Sequence, residues 1–219
     1  MWDRFDRWVP LTGIVFVVLV LIGGPVLGGT TPDGTASPHD IISFYTQHQG
    51  SERASVYFLG LAFVAYLFFA AVLRSRWRRV PGTEGLATVV LVAAAIEVVG
   101  QCAGAGAVFA LTTAPSSLGP DSAQALNLVA NSLLVISAVG NFAFCLVAGL
   151  MILRGRGVVP AWLGWVVIVI CPLFLLPGIE FVGFLVFIVW VVVMSILLLR
   201  SRGNETDSRT IESTAVPVS

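Results

Sequence analysis

The chain has 219 residues, of which 57% are apolar and 11% are charged, and its formal net charge is zero. A soluble domain has about 25% charged residues, so a globule of this composition could not cover its surface with polar groups. The neutral balance gives no indication of nucleic-acid binding. Long apolar runs recur along the chain, which indicates an all-α protein embedded in a lipid bilayer.

Six apolar runs reach the length of roughly 20 residues that a helix needs to cross the hydrocarbon layer. Turn-forming or arginine-rich segments separate them. We therefore predict a bundle of six transmembrane helices within residues 1–200. The spans are expected at about 9–27, 55–73, 85–112, 122–153, 158–176 and 181–199. The third and fourth are longer than a perpendicular crossing requires, so they are expected to tilt or to project beyond the membrane.

The ends of the chain are interpreted separately from the spans. Arg4 and Arg7 precede the first run, as they would in a secretory signal, but the run is long for a signal and no small-residue cleavage motif follows. We therefore expect an uncleaved first helix. Residues 201–219 are polar and lack periodicity, which predicts a disordered cytoplasmic tail.

The arginines determine the predicted orientation. With six spans and a cytoplasmic N-terminus, eleven of the twelve arginines lie on the cytoplasmic side, and Arg53 alone lies outside. Arginine near the ends of spans is strongly biased toward the cytoplasm, and the opposite orientation would place eleven arginines outside. We expect a multi-pass protein of the plasma membrane with both termini in the cytoplasm.

The longest predicted outer segment, residues 29–54, contains a helix signal. Ser37 can cap a helix that begins at Pro38 and has an acidic residue in its first turn. We predict a short helix lying on the outer leaflet. The favoured interpretation is an interfacial connector; the alternative is a lid over an opening in the bundle, with Tyr45 and His48 facing inward.

One ionisable residue, Glu97, is expected near the middle of a span. Such a group costs roughly 2.5–3.5 kcal/mol at the bilayer centre and is a functional candidate by default. Glu97 must therefore point into the bundle. Gln101 lies one turn further along the same face, and Gly100 and Gly104 beside it provide a GxxxG step for close helix packing.

The fourth span carries polar residues that can meet this face. The third and fourth spans form a hairpin, so depths follow from the rise of about 1.5 Å per residue. The match predicts that Glu97 meets Ser137 or Asn141 and that Gln101 reaches toward Asn131. These five residues form the candidate intramembrane polar site.

Two interpretations of this site compete. In the first, Glu97 binds a proton, a cation or a polar head group. In the second, which we favour, the polar residues join helices through hydrogen bonds worth about 0.6 kcal/mol each. Glu97 has no predicted acidic, arginine or histidine partner within the membrane. An embedded enzyme would require a second polar group that converges on Glu97 from another helix.

No catalytic motif is present. The sequence lacks the phosphate-binding GxxxxGK[ST] pattern, the HExxH pattern of zinc proteases and the GxSxG pattern of hydrolases. The three cysteines lie within apolar runs and lack the CxxC spacing of a metal or redox site. We therefore predict no enzyme, no catalytic residue, no cofactor and no metal site.

Three short stretches carry a resemblance to a known group of proteins. They are IISFYTQH at residues 41–48, which leads into YFLGLA at residues 57–62, and VPAWLGW at residues 159–165. Together they resemble a family of uncharacterised six-helix membrane proteins that are frequent in high-GC Gram-positive bacteria. The resemblance implies a compact helical bundle in the plasma membrane. It implies no activity and transfers no catalytic residue.

These observations favour a non-catalytic structural, partner-binding or ligand-sensing component of the plasma membrane. The alternative is a small transporter or channel subunit that uses Glu97 as a proton or ion site. The expected partners are the lipid bilayer and either another membrane protein or a second copy of the chain, with no role for nucleic acid. The sequence leaves the ligand and the oligomeric state open.

Overall fold

The computed structural model describes residues 9–155, 158–176 and 179–214, except for the side chains of residue 180 and of residues 201–214. Within these ranges the chain forms seven α-helices and no strand, which confirms the all-α prediction. The helices are α1 Thr12–Leu21, α2 Pro38–Gln47, α3 Gln49–Trp77, α4 Glu84–Thr113, α5 Pro120–Arg154, α6 Trp162–Ile170 and α7 Glu180–Thr214.

Short helical segments extend two of these elements. A 3₁₀ turn, Val9–Leu11, precedes α1, and a π-helical segment, Ile22–Leu27, follows it. A second 3₁₀ segment, Cys171–Leu175, continues α6. A third, Pro115–Ser117, lies in the connection between α4 and α5.

Five helical segments in the described ranges are long and apolar enough to cross a membrane. They are Val9–Leu27, Gln49–Trp77, Glu84–Thr113, Pro120–Arg154 and Phe181–Arg200. Each overlaps a predicted span.

The fifth predicted span is shorter than expected. Its apolar helical part, Trp162–Leu175, is shorter than the roughly 20 residues that a helix needs to cross the hydrocarbon layer. The α-helix ends at Ile170 because Pro172 has no N–H group and its ring excludes regular α-helical geometry on its N-terminal side. The described ranges therefore contain five helices of spanning length where six spans were predicted.

The last helix extends beyond the predicted sixth span. The backbone of α7 stays helical to Thr214, through most of the segment predicted to be disordered. After Pro177 the sequence has no proline before Pro217, so no residue in this segment excludes a helical backbone. Residues 215–219 lie outside the described ranges, as do Arg4, Arg7 and Arg156, on which part of the predicted topology rests.

The two ends of the bundle carry different residues. Trp77, at the end of α3, lies against Gly155, and Gly13, at the start of α1, lies against Ser195 of α7. These contacts gather six described arginines at one end, which we call the basic end. The six are Arg74, Arg76, Arg78, Arg79, Arg154 and Arg200. The opposite end carries residues 28–37 and α2, and we call it the loop end.

Arg53 is the described arginine of the loop end, and it has a structural role there. Its guanidinium group donates to the carbonyl oxygens of Thr112 and Thr113 at distances of 2.8 and 3.0 Å. The Gln49 side chain also donates to Thr112 O at 2.7 Å. The last carbonyl groups of a helix have no partner within the helix. Arg53 and Gln49 therefore cap the C-terminus of α4.

The short fifth segment runs antiparallel to both of its neighbours. Gly164 packs against Leu153 of α5, and Ile168 packs against Gly149, one turn earlier in that helix. On the other side, the indole N–H of Trp190 donates to Leu163 O at 3.1 Å. Gly183, two turns before Trp190, lies against the later residues Ile170 and Leu173. Hence α5 and α7 run in the same direction, with Trp162–Leu175 returning between them.

Aromatic rings fill the centre of the bundle. Each is almost fully buried and lies 5.0–6.3 Å, between ring centroids, from at least one other ring of the group. They come from α1, α3, α5, α7 and the segment after α6, so they join most of the helices. The rings are Phe16, Tyr66, Phe69, Phe144, Phe174, Phe187 and Trp190.

Candidate functional site

The helices α4 and α5 approach each other most closely at Glu97. A Cβ atom on Gly140 would lie 2.5 Å from the backbone N of Glu97, and one on Gly100 would lie 2.9 Å from the backbone N of Ser137. Only glycine allows such an approach. The Ser137 hydroxyl donates to the backbone carbonyl of Glu97 at 3.4 Å. The Ser137 side chain therefore contacts the main chain of Glu97.

The Glu97 carboxyl group faces polar groups from two other helices. These are the Tyr66 hydroxyl of α3 and the Asn141 amide of α5. Glu97 is 2% exposed. Its Oε2 atom, Tyr66 Oη and Asn141 Oδ1 are all buried without a completed hydrogen bond among the described residues. Buried polar atoms are normally paired, so the Glu97 carboxyl group, which lies between Tyr66 and Asn141, keeps one oxygen atom that could accept a further hydrogen bond.

Asn131 lies away from Glu97 and holds part of the loop end in place. Its side-chain amide donates to Asn127 O at 2.9 Å and to Pro32 O at 3.5 Å. Asn127 in turn donates to Asp33 O at 2.7 Å. These bonds fix the segment between α1 and α2 against α5. Gln101 and Asn131, which were expected to meet, line one cavity together.

That cavity, which we call the loop-end cavity, has a volume of about 670 Å³. It is bordered by α1, α2, α3, α4, α5, α7 and the residues after α1, and it reaches Glu97. Its walls are mainly apolar. Leu134 and Phe181 line it and are also 51% and 63% exposed on the surface of the bundle. The cavity therefore opens sideways between α5 and α7, on the surface that lipid would cover.

A second buried carboxyl group, Glu52, lies at the loop end of the cavity. Glu52 is 2% exposed, and its Oε1 atom accepts a hydrogen bond from Gly29 N at 3.0 Å. One turn further, the Ser55 hydroxyl donates to Gly23 O at 2.6 Å. These two bonds join the end of the first span to the start of α3. They support the cavity wall without filling the cavity.

The short helix α2 begins as the sequence predicts. Ser37 is its N-cap and accepts a hydrogen bond from Asp40 N at 3.2 Å, and Pro38 is its first residue. The helix packs on the ends of α4 and α5 through a small apolar cluster. The cluster consists of Ile41, Tyr45, Leu111 and Ala123. The position of α2 is thus fixed by other helices of the bundle.

The two residues of the suggested lid point in different directions. Tyr45 is 1% exposed and lines the cavity. Burial, with a smaller effect of the nearby Glu52 carboxylate, raises the pKa of Tyr45 to about 12. His48 is exposed; its ring stacks on Phe44 and its Nδ1 atom lies 3.0 Å from Phe44 O. His48 therefore does not face inward, because its place between α2 and α3 turns it toward the surface.

Among the described residues, groups of metal-binding side chains and disulfides are absent. No group of three or more His, Cys, Asp or Glu side chains there could hold a metal ion. Cys102 is exposed, whereas Cys145 and Cys171 are buried, and none forms a disulfide. Cys145 lies near Glu97 but does not line the cavity.

Sequence reasoning missed Tyr66 and Glu52. Tyr66 lies in an aromatic-rich span, where a tyrosine is most simply explained as core packing. Glu52 precedes the predicted start of its span and was assigned to the outer segment. Glu52 lies one helical turn before Ser55, the predicted first residue of the span. A helix that begins earlier, as α3 does at Gln49, includes both residues.

Comparison with known proteins gave no match to a protein-family model, to a curated protein or to a solved structure. The geometry of the chain itself therefore carries the functional argument.

Proposed function

We propose that the chain is a non-catalytic, multi-pass protein of the plasma membrane that binds a small ligand in the loop-end cavity. One observation carries the proposal: about 670 Å³ of space reaches the buried Glu97, whose Oε2 atom has no completed hydrogen bond among the described residues. Small-molecule sites typically have volumes of about 300–1,000 Å³, apolar walls and a few polar groups. The loop-end cavity has all three properties.

The packing toward the basic end favours binding over transport. Phe144, Phe187 and Trp190 lie between Glu97 and that end, with ring centroids 5.8–6.3 Å apart and exposures of at most 2%. A path through the bundle would have to separate these rings. The alternative function, a small transporter or channel subunit with Glu97 as its proton or ion site, is supported by the position of Glu97 on the cavity wall.

The same geometry favours binding over catalysis. Polar groups from two other helices do converge on Glu97, which is the arrangement that an embedded enzyme would need. However, Tyr66, Asn141 and Cys145 do not line the cavity, and Glu97 is the member of this cluster that a bound molecule would meet. A single carboxyl group is enough to hold a ligand, and the polar groups that converge on Glu97 are not placed to act on a molecule in the cavity.

Six crossings are part of this proposal. The segment Trp162–Leu175 spans roughly 23 Å as nine α-helical and five 3₁₀ residues, against about 30 Å of hydrocarbon. Such a mismatch is met by local thinning at a modest cost. Its antiparallel placement between α5 and α7 supports a crossing. Both termini then lie on the side of the basic end, which the arginine bias makes cytoplasmic.

Reporter fusions in the connections test this topology. A reporter that is active only outside the cell should be active after Gly119 and Ile179 and inactive after Gly82 and Gly155. The positions Gly119 and Ile179 are separated by α5 and Trp162–Leu175. If the two fusions report opposite sides of the membrane, only α5 crosses between them, and Trp162–Leu175 does not cross. Activity after Gly82 would reverse the proposed orientation.

Filling the cavity tests ligand binding. A Cβ atom on Gly24 meets no other atom within 4 Å, and Gly24 lines the cavity, so Gly24→Leu should place a side chain in the ligand's space. Native mass spectrometry of the purified protein should detect a bound small molecule in the wild type and none in the variant. Gly106→Leu is the matched control: its Cβ is equally free, and Gly106 does not line this cavity. An equal amount of bound molecule in both variants would contradict the proposed site.

Flux measurements decide between binding and transport. In proteoliposomes, a transporter that uses Glu97 should carry protons or a cation in the wild type and lose this flux in Glu97→Gln. We expect no flux in either protein. A wild-type flux that disappears in Glu97→Gln would make transport the better description.

A further inference from the structure

The loop-end cavity is lined by acidic side chains. Glu52 and Glu97 are its charged residues among those described, and each is 2% exposed. The chain contains no lysine. Arg53 follows Glu52 in the chain, but its guanidinium group is directed at the carbonyls of Thr112 and Thr113. The described lining therefore contains two carboxyl groups and no arginine side chain.

The two acidic residues differ in how far their hydrogen bonding is satisfied. Glu52 accepts a bond from Gly29 N and forms part of the cavity wall. Glu97 has a buried Oε2 atom with no completed hydrogen bond among the described residues. Glu97 faces Tyr66, which lies about 21 Å along α3 from Glu52. The unused binding capacity is thus located at the deep end of the cavity.

Aromatic rings surround the remaining space. The faces of aromatic rings attract cations, particularly where water is excluded. Rings from α1, α2, α3 and α7 contribute to the wall. They are Phe16, Tyr45, Phe63, Phe181 and Phe184.

The cavity is also accessible to molecules dissolved in a bilayer. Its opening between Leu134 and Phe181 lies on the exposed apolar surface of the bundle. An ionised carboxyl group in such surroundings is stable only when it is paired. A ligand that carries a positive charge among apolar groups would pair with Glu97 through its charge. Its apolar groups would pack against the apolar walls of the cavity.

From these features, and resting on the proposed function, we infer that the ligand is an organic cation with apolar substituents, such as a quaternary ammonium or phosphonium compound. Its charged centre pairs with the Glu97 carboxylate, and its substituents pack among the aromatic rings. Glu52 marks the loop end of the same cavity and remains bonded to the backbone of Gly29.

Two probes of nearly the same shape and opposite charge test this inference. Tetraphenylphosphonium and tetraphenylborate are titrated onto the full chain in nanodiscs of phosphatidylcholine, with empty nanodiscs as background. Tetraphenylphosphonium should bind to the wild type, and tetraphenylborate should stay at background. The affinity for the cation should fall at least about tenfold in Glu97→Gln, because the charged pair is lost. Glu84→Gln, an exposed acid on the same helix and outside the cavity, should bind like the wild type.

Carbodiimide labelling provides a measurement that needs no variant. Dicyclohexylcarbodiimide is apolar and should modify Glu97 in the wild type, as read from the mass of the peptide that contains it. Tetraphenylphosphonium should slow this modification, and tetraphenylborate should not. Labelling that is equally fast with and without the cation would overturn the inference even if Glu97→Gln failed to fold.

The outcomes separate this inference from the proposed function. If both probes bind, both are lost in Gly24→Leu and neither depends on Glu97, the cavity binds apolar ligands without regard to charge. That result overturns the inference and leaves the proposed function standing. If neither probe binds, the inference is also overturned, and the bound-molecule comparison of Gly24→Leu with Gly106→Leu still decides the proposed function.

Discussion

The bundle has one half next to the basic end and one half next to the loop end. Both halves consist of similar apolar residues, but their packing differs. Toward the basic end, interlocking rings such as Phe144 and Phe187 fill the space between helices. Toward the loop end, hydrogen bonds from Glu52, Ser55 and Asn127 hold neighbouring segments in place. Hydrogen bonds fix the distance between backbones without requiring the volume between them to be filled. The half next to the basic end is therefore closely packed, and the half next to the loop end contains a cavity.

This difference has a particular meaning in a membrane. Lipid tails are as apolar as the side chains, so helices associate through packing and hydrogen bonds rather than through the exclusion of water. A half that gives up packing loses stability unless polar contacts replace it. At the loop end, hydrogen bonds replace part of the side-chain packing, which is consistent with a cavity that holds a ligand.

The largest expected effect comes from removing a ring of the packed half. Phe144→Ala should destabilise the protein by about 3 kcal/mol, the lower end of the usual range for Phe→Ala, because the lost packing is not replaced. Phe63→Ala, at the cavity wall, should cost clearly less, since its ring already borders open space. Thermal unfolding of the purified proteins in detergent measures both. Equal losses would remove the contrast between the halves.

A smaller effect is expected at the seam that the two halves share. Gly140→Ala would place its Cβ atom 2.5 Å from the backbone N of Glu97, and backbone cannot move aside cheaply. Overpacking of this kind costs about 1–3 kcal/mol. Gly106→Ala, whose Cβ atom would meet nothing within 4 Å, should be neutral or slightly stabilising. The same unfolding measurement applies. A stable Gly140→Ala variant would show that α4 and α5 can separate without loss.

The smallest effect is a pH dependence at the loop end. The pKa of Tyr45 is raised to about 12 by burial and by Glu52, whereas an unfolded tyrosine titrates near 10. The unfolded state therefore loses its proton first. The stability contributed by Tyr45 should be complete below about pH 10 and should be lost as the pH rises toward 12. The ultraviolet absorbance of tyrosinate follows this titration.

Two variants isolate that contribution. In Glu52→Gln the pKa of Tyr45 should fall, because a neighbouring negative charge is removed. Tyr45→Phe should eliminate the corresponding high-pH absorbance change. Titration of the Tyr45 hydroxyl at about 10 in the wild type would contradict its burial against the cavity.

The fold was predictable from the sequence to a large extent. Apolar run lengths located the five long helices, and local chemistry located the start of α2, where Ser37 caps and Pro38 begins the helix. The length of the fifth segment was wrong because Pro172 shortens an otherwise apolar run. A run length counts residues and does not detect where one residue interrupts the helix.

The candidate site was predictable only in part. The depth match correctly brought Glu97 next to Ser137 and Asn141, because both positions lie on one antiparallel hairpin with a known rise per residue. The same reasoning did not find Tyr66, which reaches Glu97 from a helix in another hairpin. It also directed Gln101 toward Asn131; the two residues line one cavity, and the Asn131 side chain bonds to Pro32 in the loop.

The sequence by itself determined which segments are apolar helices, that an acidic residue must be buried within one of them, and how the arginines are distributed along the chain. These features follow from residue spacing and from the cost of exposing polar groups to lipid. Only the tertiary structure decided that a cavity lies beside that acid and that Tyr66 faces it. The volume of a cavity depends on how side chains from helices far apart in the sequence fill the space between them. No local sequence pattern predicts that volume.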